Sequence, residues 1–254
     1  MTPHEIFAQG CVIPAHPLAL TADRKLDERR QRALSRYYID AGAGGIAVGV
    51  HTTQFAIHNN GMLVPGLGIA MAAARETTRP LVMIAGVQGD TRHAVAEAEL
   101  AARLGYHMVL LRPAAGTDDE MIERARAVGE VLPVVGFYLQ PAVGGRILTR
   151  DFWARFAALE SVVGIKVAPF DRYRTLDVLH GVARSGRHRD VALYTGNDNN
   201  IIGDLISPYP LQVGDRTIDL RIVGGLLGQF AVWTKAAVGI PGEGKGAASG
   251  GGRA

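Results

Sequence analysis

A chain of 254 residues, 48% hydrophobic and 20% charged, can bury a sizeable core; this excludes a disordered polymer and fits one large α/β barrel or two small domains. Its 27 basic and 24 acidic residues leave a net charge of +3 scattered along the chain, too little to call for nucleic acid. The single cysteine, Cys11, excludes an intrachain disulfide; with no leader pattern and no apolar run near the ~20 residues that span a bilayer, the sequence reads as cytoplasmic, with no membrane partner.

Short apolar, β-branched runs at 10–14, 45–50, 80–87, 107–112, 133–140, 162–168, 191–196 and 220–225 predict strands. Between them, amphipathic stretches at 26–41, 92–104, 119–131, 150–159 and 175–185 predict helices. Asp90 or Thr91, Thr117 or Asp118, and Thr149 stand where N-caps belong, because their short oxygens can accept the free N–H groups of a first helical turn. Eight strands with helical crossovers match a (β/α)8 TIM barrel, with a doubly wound open sheet as the competitor, since periodicity does not show closure. No polar linker divides residues 1–238, so they read as one domain. Residues 239–254, GIPGEGKGAASGGGRA, read as a flexible glycine-rich tail.

One residue breaks the apolar pattern. Lys166 lies within Val162-Val163-Gly164-Ile165-Lys166-Val167-Ala168-Pro169, with Gly164 and Ala168 sharing its face at period two. Alone, such a lysine reads as a strand-end residue whose head reaches solvent. Taken out of water, the amine loses basicity, and a neutral amine attacks carbonyl carbon. Tyr138 lies one βα unit earlier, between Gly136 and Gln140 on its own parity; alone it reads as a half-buried core tyrosine, but with Lys166 a phenol and an amine could meet at the C-terminal barrel face. Condensation of Lys166 with a 2-oxo acid would give an iminium that stabilises a carbanion at the adjacent carbon, and Tyr138 would move protons. Thr52 and Thr53, after the second strand, could hold a carboxylate. Gly196 could admit substrate to the backbone, and Asn197 or Asp198 could bond its hydroxyls; an ordinary turn with a helix N-cap explains the last three equally well. The eight histidines show no metal-ligand spacing, and no glycine cluster has the context of a nucleotide-binding loop.

Gly164-Ile165-Lys166, Tyr138 with Pro141 downstream, the Thr52-Thr53 turn and Thr195-Gly196-Asn197-Asp198 occur in order. Together they resemble the dihydrodipicolinate synthase/N-acetylneuraminate lyase family of class I, Schiff-base-forming aldolases and lyases, over about residues 10–238. The resemblance implies a (β/α)8 barrel, pyruvate or a related 2-oxo acid as electrophile, and neither metal nor organic cofactor. It gives Lys166 the Schiff base, Tyr138 the proton relay, and Thr52 with Thr53 the carboxylate.

The chain also departs from the family pattern. The family's Gly-Thr-Thr-Gly-Glu loop reads Val50-His51-Thr52-Thr53-Gln54 here, and Arg112-Pro113-Ala114-Ala115 lacks the relay tyrosine of the synthases. The arginine that follows their catalytic tyrosine is matched only by the more distant Arg146. An aldolase or dehydratase acting on another hydroxy-oxo acid therefore fits better than the lysine-pathway synthase, with His51, Arg112 and Arg146 as candidates to recognise the distal part of its substrate. Family members continue into a helical region that supports tetramers, so a dimer or tetramer weakened by its loss is expected. A catalytically silent oxo-acid-binding barrel and an inactive truncated member remain the alternatives.

Overall fold

The computed structural model describes residues 1–113 and 115–240. From residue 241 onward, the tail expected over 239–254 lies outside the described residues. The strands are β1 (Val12–Pro14), β2 (Gly45–Val48), β3 (Val82–Val87), β4 (Met108–Leu111), β5 (Val134–Leu139), β6 (Val162–Ala168), β7 (Ala192–Thr195), β8 (Tyr209–Val213), β9 (Arg216–Leu220) and β10 (Ile222–Leu227). Eight of them form one parallel sheet in the order β1-β10-β7-β6-β5-β4-β3-β2. The ring closes where His16 N–H donates to the Ala47 carbonyl at 2.8 Å and Gly44 N–H to that of Val12 at 3.0 Å. Closure removes both sheet edges and decides for the (β/α)8 barrel over the open sheet.

Every expected strand has its counterpart in the ring, and each of the five expected helices forms. Asp90, Thr117 and Thr149 cap their helices, accepting N–H bonds at 2.8, 3.2 and 3.2 Å. Besides the short helices Pro3–Gln9, Ala56–Asn59, Ile201–Ile206 and Gln229–Val232, two larger features were not foreseen. The antiparallel hairpin β8–β9 turns at Gly214 and Asp215, and the expected eighth strand at 220–225 straddles its end and the start of β10. Helix Leu63–Arg75 shows little polar face, since seven of its residues are buried. Among the described residues no helix is long and apolar enough to cross a membrane.

Alternation on the strands divides the core in two. Ile13, Ala47, Ile84, Leu110, Val135, Phe137, Leu139, Ala168 and Leu226 fill the barrel, while Val48, Met83, Val109, Tyr138, Ile165 and Val167 pack under the helices. Helix Pro3–Gln9 plugs the N-terminal end: Phe7 stacks on Tyr194 at 4.5 Å, and the Tyr194 hydroxyl donates to the Phe7 carbonyl at 2.7 Å. A Cβ at Gly164 would lie 2.6 Å from the Phe7 ring, so glycine is what lets the plug seat. With that floor closed, the cavity around Lys166 lies toward the C-terminal face.

Candidate active site

Lys166 points into the barrel and is 5% exposed. In β6 its neighbours on the same face are Gly164 and Ala168, and across the ladder it pairs with Phe137 on one side and Tyr194 on the other. Its Nζ lies 4.4 Å from the centre of the Phe137 ring. Burial pulls its basicity down to a pKa of about 8, against the opposing attraction of Asp198. The stem needs room on the β7 side as well: a Cβ at Gly196 would sit 2.7 Å from both Lys166 Cε and Ala168 Cβ. Gly196 thus makes space for the lysine itself, beyond the substrate access expected of it.

The cavity above the amine has a volume of about 200 Å³ and is lined by Ala15, His51, Thr52, Gln140, Phe170 and Asp198, with Gly196, Leu227 and Gly228 closing its sides. That is smaller than the ~300–1,000 Å³ typical of drug-sized ligands, and it suits a molecule of a few carbons. His51 is held below the ordinary imidazole value by its partial burial, then by the positive charges of Lys166 and Arg112, so it is neutral at pH 7. Asp198, solvent-reaching at the rim, is raised by desolvation and lowered by Lys166.

The loop carrying His51 and Thr52 is anchored from below. His58 bridges the Gly49 carbonyl (2.7 Å from Nε2) and the Glu97 carboxylate (2.6 Å from Nδ1), and the other Glu97 oxygen accepts the Gln88 N–H at 2.9 Å. The Gln88 side chain accepts a bond from Arg112 at 2.8 Å, and Arg112 lies 4.3 Å over the Phe55 ring. Gln54 and Phe55 both adopt left-handed backbone, with φ of 51° and 57°. Side chains rarely take that conformation twice running, and it sets the turn behind His51.

Several expected residues are not where the sequence reading put them. Tyr138 pairs with Val167 on the outer face of the barrel, packs 5.2 Å from Trp153, and shares its hydroxyl with the backbone of Leu148. The wall of β5 therefore separates the phenol from the cavity; the inward residue is Phe137. Tyr138 gives Leu148 its hydrogen bonds, and it is not a proton relay to Lys166.

Thr53 donates to the Val50 carbonyl at 2.8 Å within its own turn and does not line the cavity; Thr52 does, while donating to the His16 carbonyl at 3.2 Å. Asn197 is buried, with its amide split among Phe170, Thr175 and Asp204, so it shapes the loop while Asp198 faces the cavity. Arg146 pairs with Asp118 at 2.7 Å and also bonds the Gly116 carbonyl, tying two loops together outside the cavity. Arg112 stands one layer behind His51 and is felt there only through its charge. Phe137, Gln140 and Phe170 were missed; the alternation of Val135, Phe137 and Leu139 was visible, but nothing polar marked it as the inner face.

Tyr138→Phe is accordingly expected to lower stability by about 1–2 kcal/mol, by leaving the buried backbone groups of Leu148 without their partner. It should leave the chemistry at Lys166 unchanged. Denaturant unfolding and adduct formation on the same sample check both halves, and a large loss of reactivity in a stable variant would contradict the outward placement.

Fold and cavity together define a closed (β/α)8 barrel with one buried, weakly basic lysine under its mouth. The solved structures it resembles share that architecture. A dihydrodipicolinate synthase from Bacteroides thetaiotaomicron superposes with a TM-score of 0.77 at 18% identity, over 94% of this chain and 76% of that one. An N-acetylneuraminate lyase from Fusobacterium nucleatum complexed with pyruvate gives 0.76 at 17%, over 95% and 76%. CdNal from Clostridium difficile, in complex with mannosamine, gives 0.76 at 18%, over 93% and 76%. At such identities the likeness is one of fold. No family model matches the sequence, nor does any curated protein.

Proposed function

We propose that this chain is a class I lyase or aldolase of the dihydrodipicolinate synthase/N-acetylneuraminate lyase type, forming a Schiff base between Lys166 and pyruvate or another 2-oxo acid. The observation that carries the reading is the buried amine: a lysine with a pKa of about 8, at the bottom of a small cavity whose floor is sealed. Roughly a tenth of such an amine is neutral at pH 7, against a few in ten thousand for an ordinary lysine. The neutral nitrogen adds to the ketone carbon. The ketone oxygen takes up protons and leaves as water, and the nitrogen keeps the carbon as an iminium.

Electrons from a C–C or C–H bond at the adjacent carbon then flow into the iminium, which gives cleavage, condensation or dehydration without a resident cofactor. Thr52, on turning its hydroxyl proton from the His16 carbonyl, can donate to the substrate carboxylate, and Asp198 meets the positive nitrogen and any distal hydroxyl. A second reading, an oxo-acid-binding barrel without turnover, draws on Phe137, which holds the inward position beside Lys166 with a ring that carries no hydroxyl.

Borohydride reduction in the presence of pyruvate, followed by intact mass and peptide mapping, tests the reading. A stable adduct on Lys166 supports imine chemistry, and folded protein without a mass change refutes it. Turnover across a panel of hydroxy-oxo acids separates the enzyme from the silent binder.

A further inference from the structure

With Tyr138 outside the barrel, no phenol lines the cavity among the described residues. Apart from Lys166, the titratable side chains that line it are His51 and Asp198. We propose that His51 is the catalytic residue that moves the proton at the carbon next to the iminium. This rests on the imine reading above.

The two candidates differ in setting. Asp198 reaches solvent at the rim, and its charge interacts with Lys166, so it is placed to neutralise the iminium. His51 is half-buried on the wall that follows β2, at the start of the turn His51–Thr53, beside Thr52. A 2-oxo acid whose ketone carbon is bonded to Lys166 has its third carbon inside the same small cavity, which His51 lines.

The groups facing His51 fix its state. Lys166 from β6 and Arg112 from the end of β4 are positive, Asp198 lies across the cavity after β7, and the Phe55 ring is 5.9 Å away. Burial and the two cations keep the imidazole unprotonated, as a general base must be before it acts. The step balances: imidazole takes the proton from the third carbon, the C–H electron pair becomes the enamine double bond, and the iminium electrons return to nitrogen. The imidazolium then gives a solvent-exchanged proton back.

Pyruvate in D₂O tests this, because enamine formation replaces the methyl protons with deuterium even without a second substrate. In His51→Gln, the borohydride adduct at Lys166 should persist within about twofold, while methyl exchange should fall about 10²–10⁴-fold. The wild-type exchange rate should rise with pH through a limb below the ordinary imidazole value, and the variant should lack that limb. Asp198→Asn should keep it. Exchange surviving in His51→Gln alongside a normal adduct, or a pH limb that persists in His51→Gln and disappears in Asp198→Asn, would overturn the assignment and leave the imine intact. A wild-type protein that forms no adduct would bring down both.

Discussion

Lys166→Met is expected to abolish the pyruvate adduct, to lower turnover by on the order of 10⁴-fold or more, and at the same time to make the protein more stable at pH 7. The loss follows from removing the nucleophile. The gain follows from linkage. The folded-state pKa of about 8 lies below the 10.5 of an ordinary lysine, so between those values the unfolded chain binds more protons than the folded one.

Wild-type stability therefore rises with pH across that window, and the cost of burying the amine is felt in full below it. That cost is on the order of 3 kcal/mol. Methionine fills a similar volume with no amine to desolvate, so the variant's advantage should be largest at pH 7 and shrink as pH climbs from about 8 to about 10.5. Thermal melts of both proteins across this range measure it. A variant no more stable than wild type at pH 7 would mean that the amine is solvated, and the argument for a reactive lysine would fail with it.

Asp204→Ala is expected to give the largest loss of stability of any single change near the site. Asp204 is fully buried and collects four donors: Thr195 Oγ1 at 2.6 Å and Asn197 Nδ2 at 3.0 Å on one oxygen, Arg172 at 2.5 Å and Asn200 Nδ2 at 3.0 Å on the other. Arg172 also donates to the Tyr209 hydroxyl at 3.2 Å, so the carboxylate links the end of β7 to helix Arg172–Arg184 and to the hairpin.

Removing it strands the buried donors of Thr195 and Asn197 and leaves a partly buried guanidinium unpaired. The two stranded buried donors cost about 1–3 kcal/mol each, while the half-exposed guanidinium regains water and adds little, so the loss is about 2–6 kcal/mol, or roughly 4–24 °C in melting temperature for a domain of this size. Asp204→Asn should cost less but still be measurable, because its amide turns a donor toward donors. The loop from Gly196 to Asp198 hangs on this knot, so reactivity at Lys166 should fall with it. An alanine variant within 1 kcal/mol of wild type would show that the network contributes little.

The elements that sequence reveals are those whose signals are local. The barrel strands announced themselves as short β-branched runs, and Asp90, Thr117 and Thr149 as caps, because a helix start needs an acceptor within three residues. The hairpin β8–β9 carried a signal that went unread: Gly214-Asp215 between two short runs is a two-residue turn, and Gly214 has a φ of 59°. Helix Leu63–Arg75 gave no amphipathic stripe, because it is buried over much of its circumference.

Lys166 was legible for the opposite reason, as a lone charge in an apolar strand. Gly196 was legible as a residue type, and its steric role emerged only when β6 and β7 were side by side.

By itself, then, the sequence determined the eight strands, five of the helices between them, and an amine that must be desolvated if its strand is buried. It could not determine which face of β5 looks inward. A parallel strand covered on both sides carries apolar residues at both parities, so no polar face marks the outside. Only the ladder register, setting Phe137 against Lys166 and Tyr138 against Val167, turned the phenol toward the helices. Closure had the same character. The bond from His16 to Ala47 joins the first strand to the second across a helix, and no local pattern distinguishes that contact from an open edge. Because the ring closes, the amine, His51 and Asp198 line one cavity, and that convergence is a property of the tertiary structure alone.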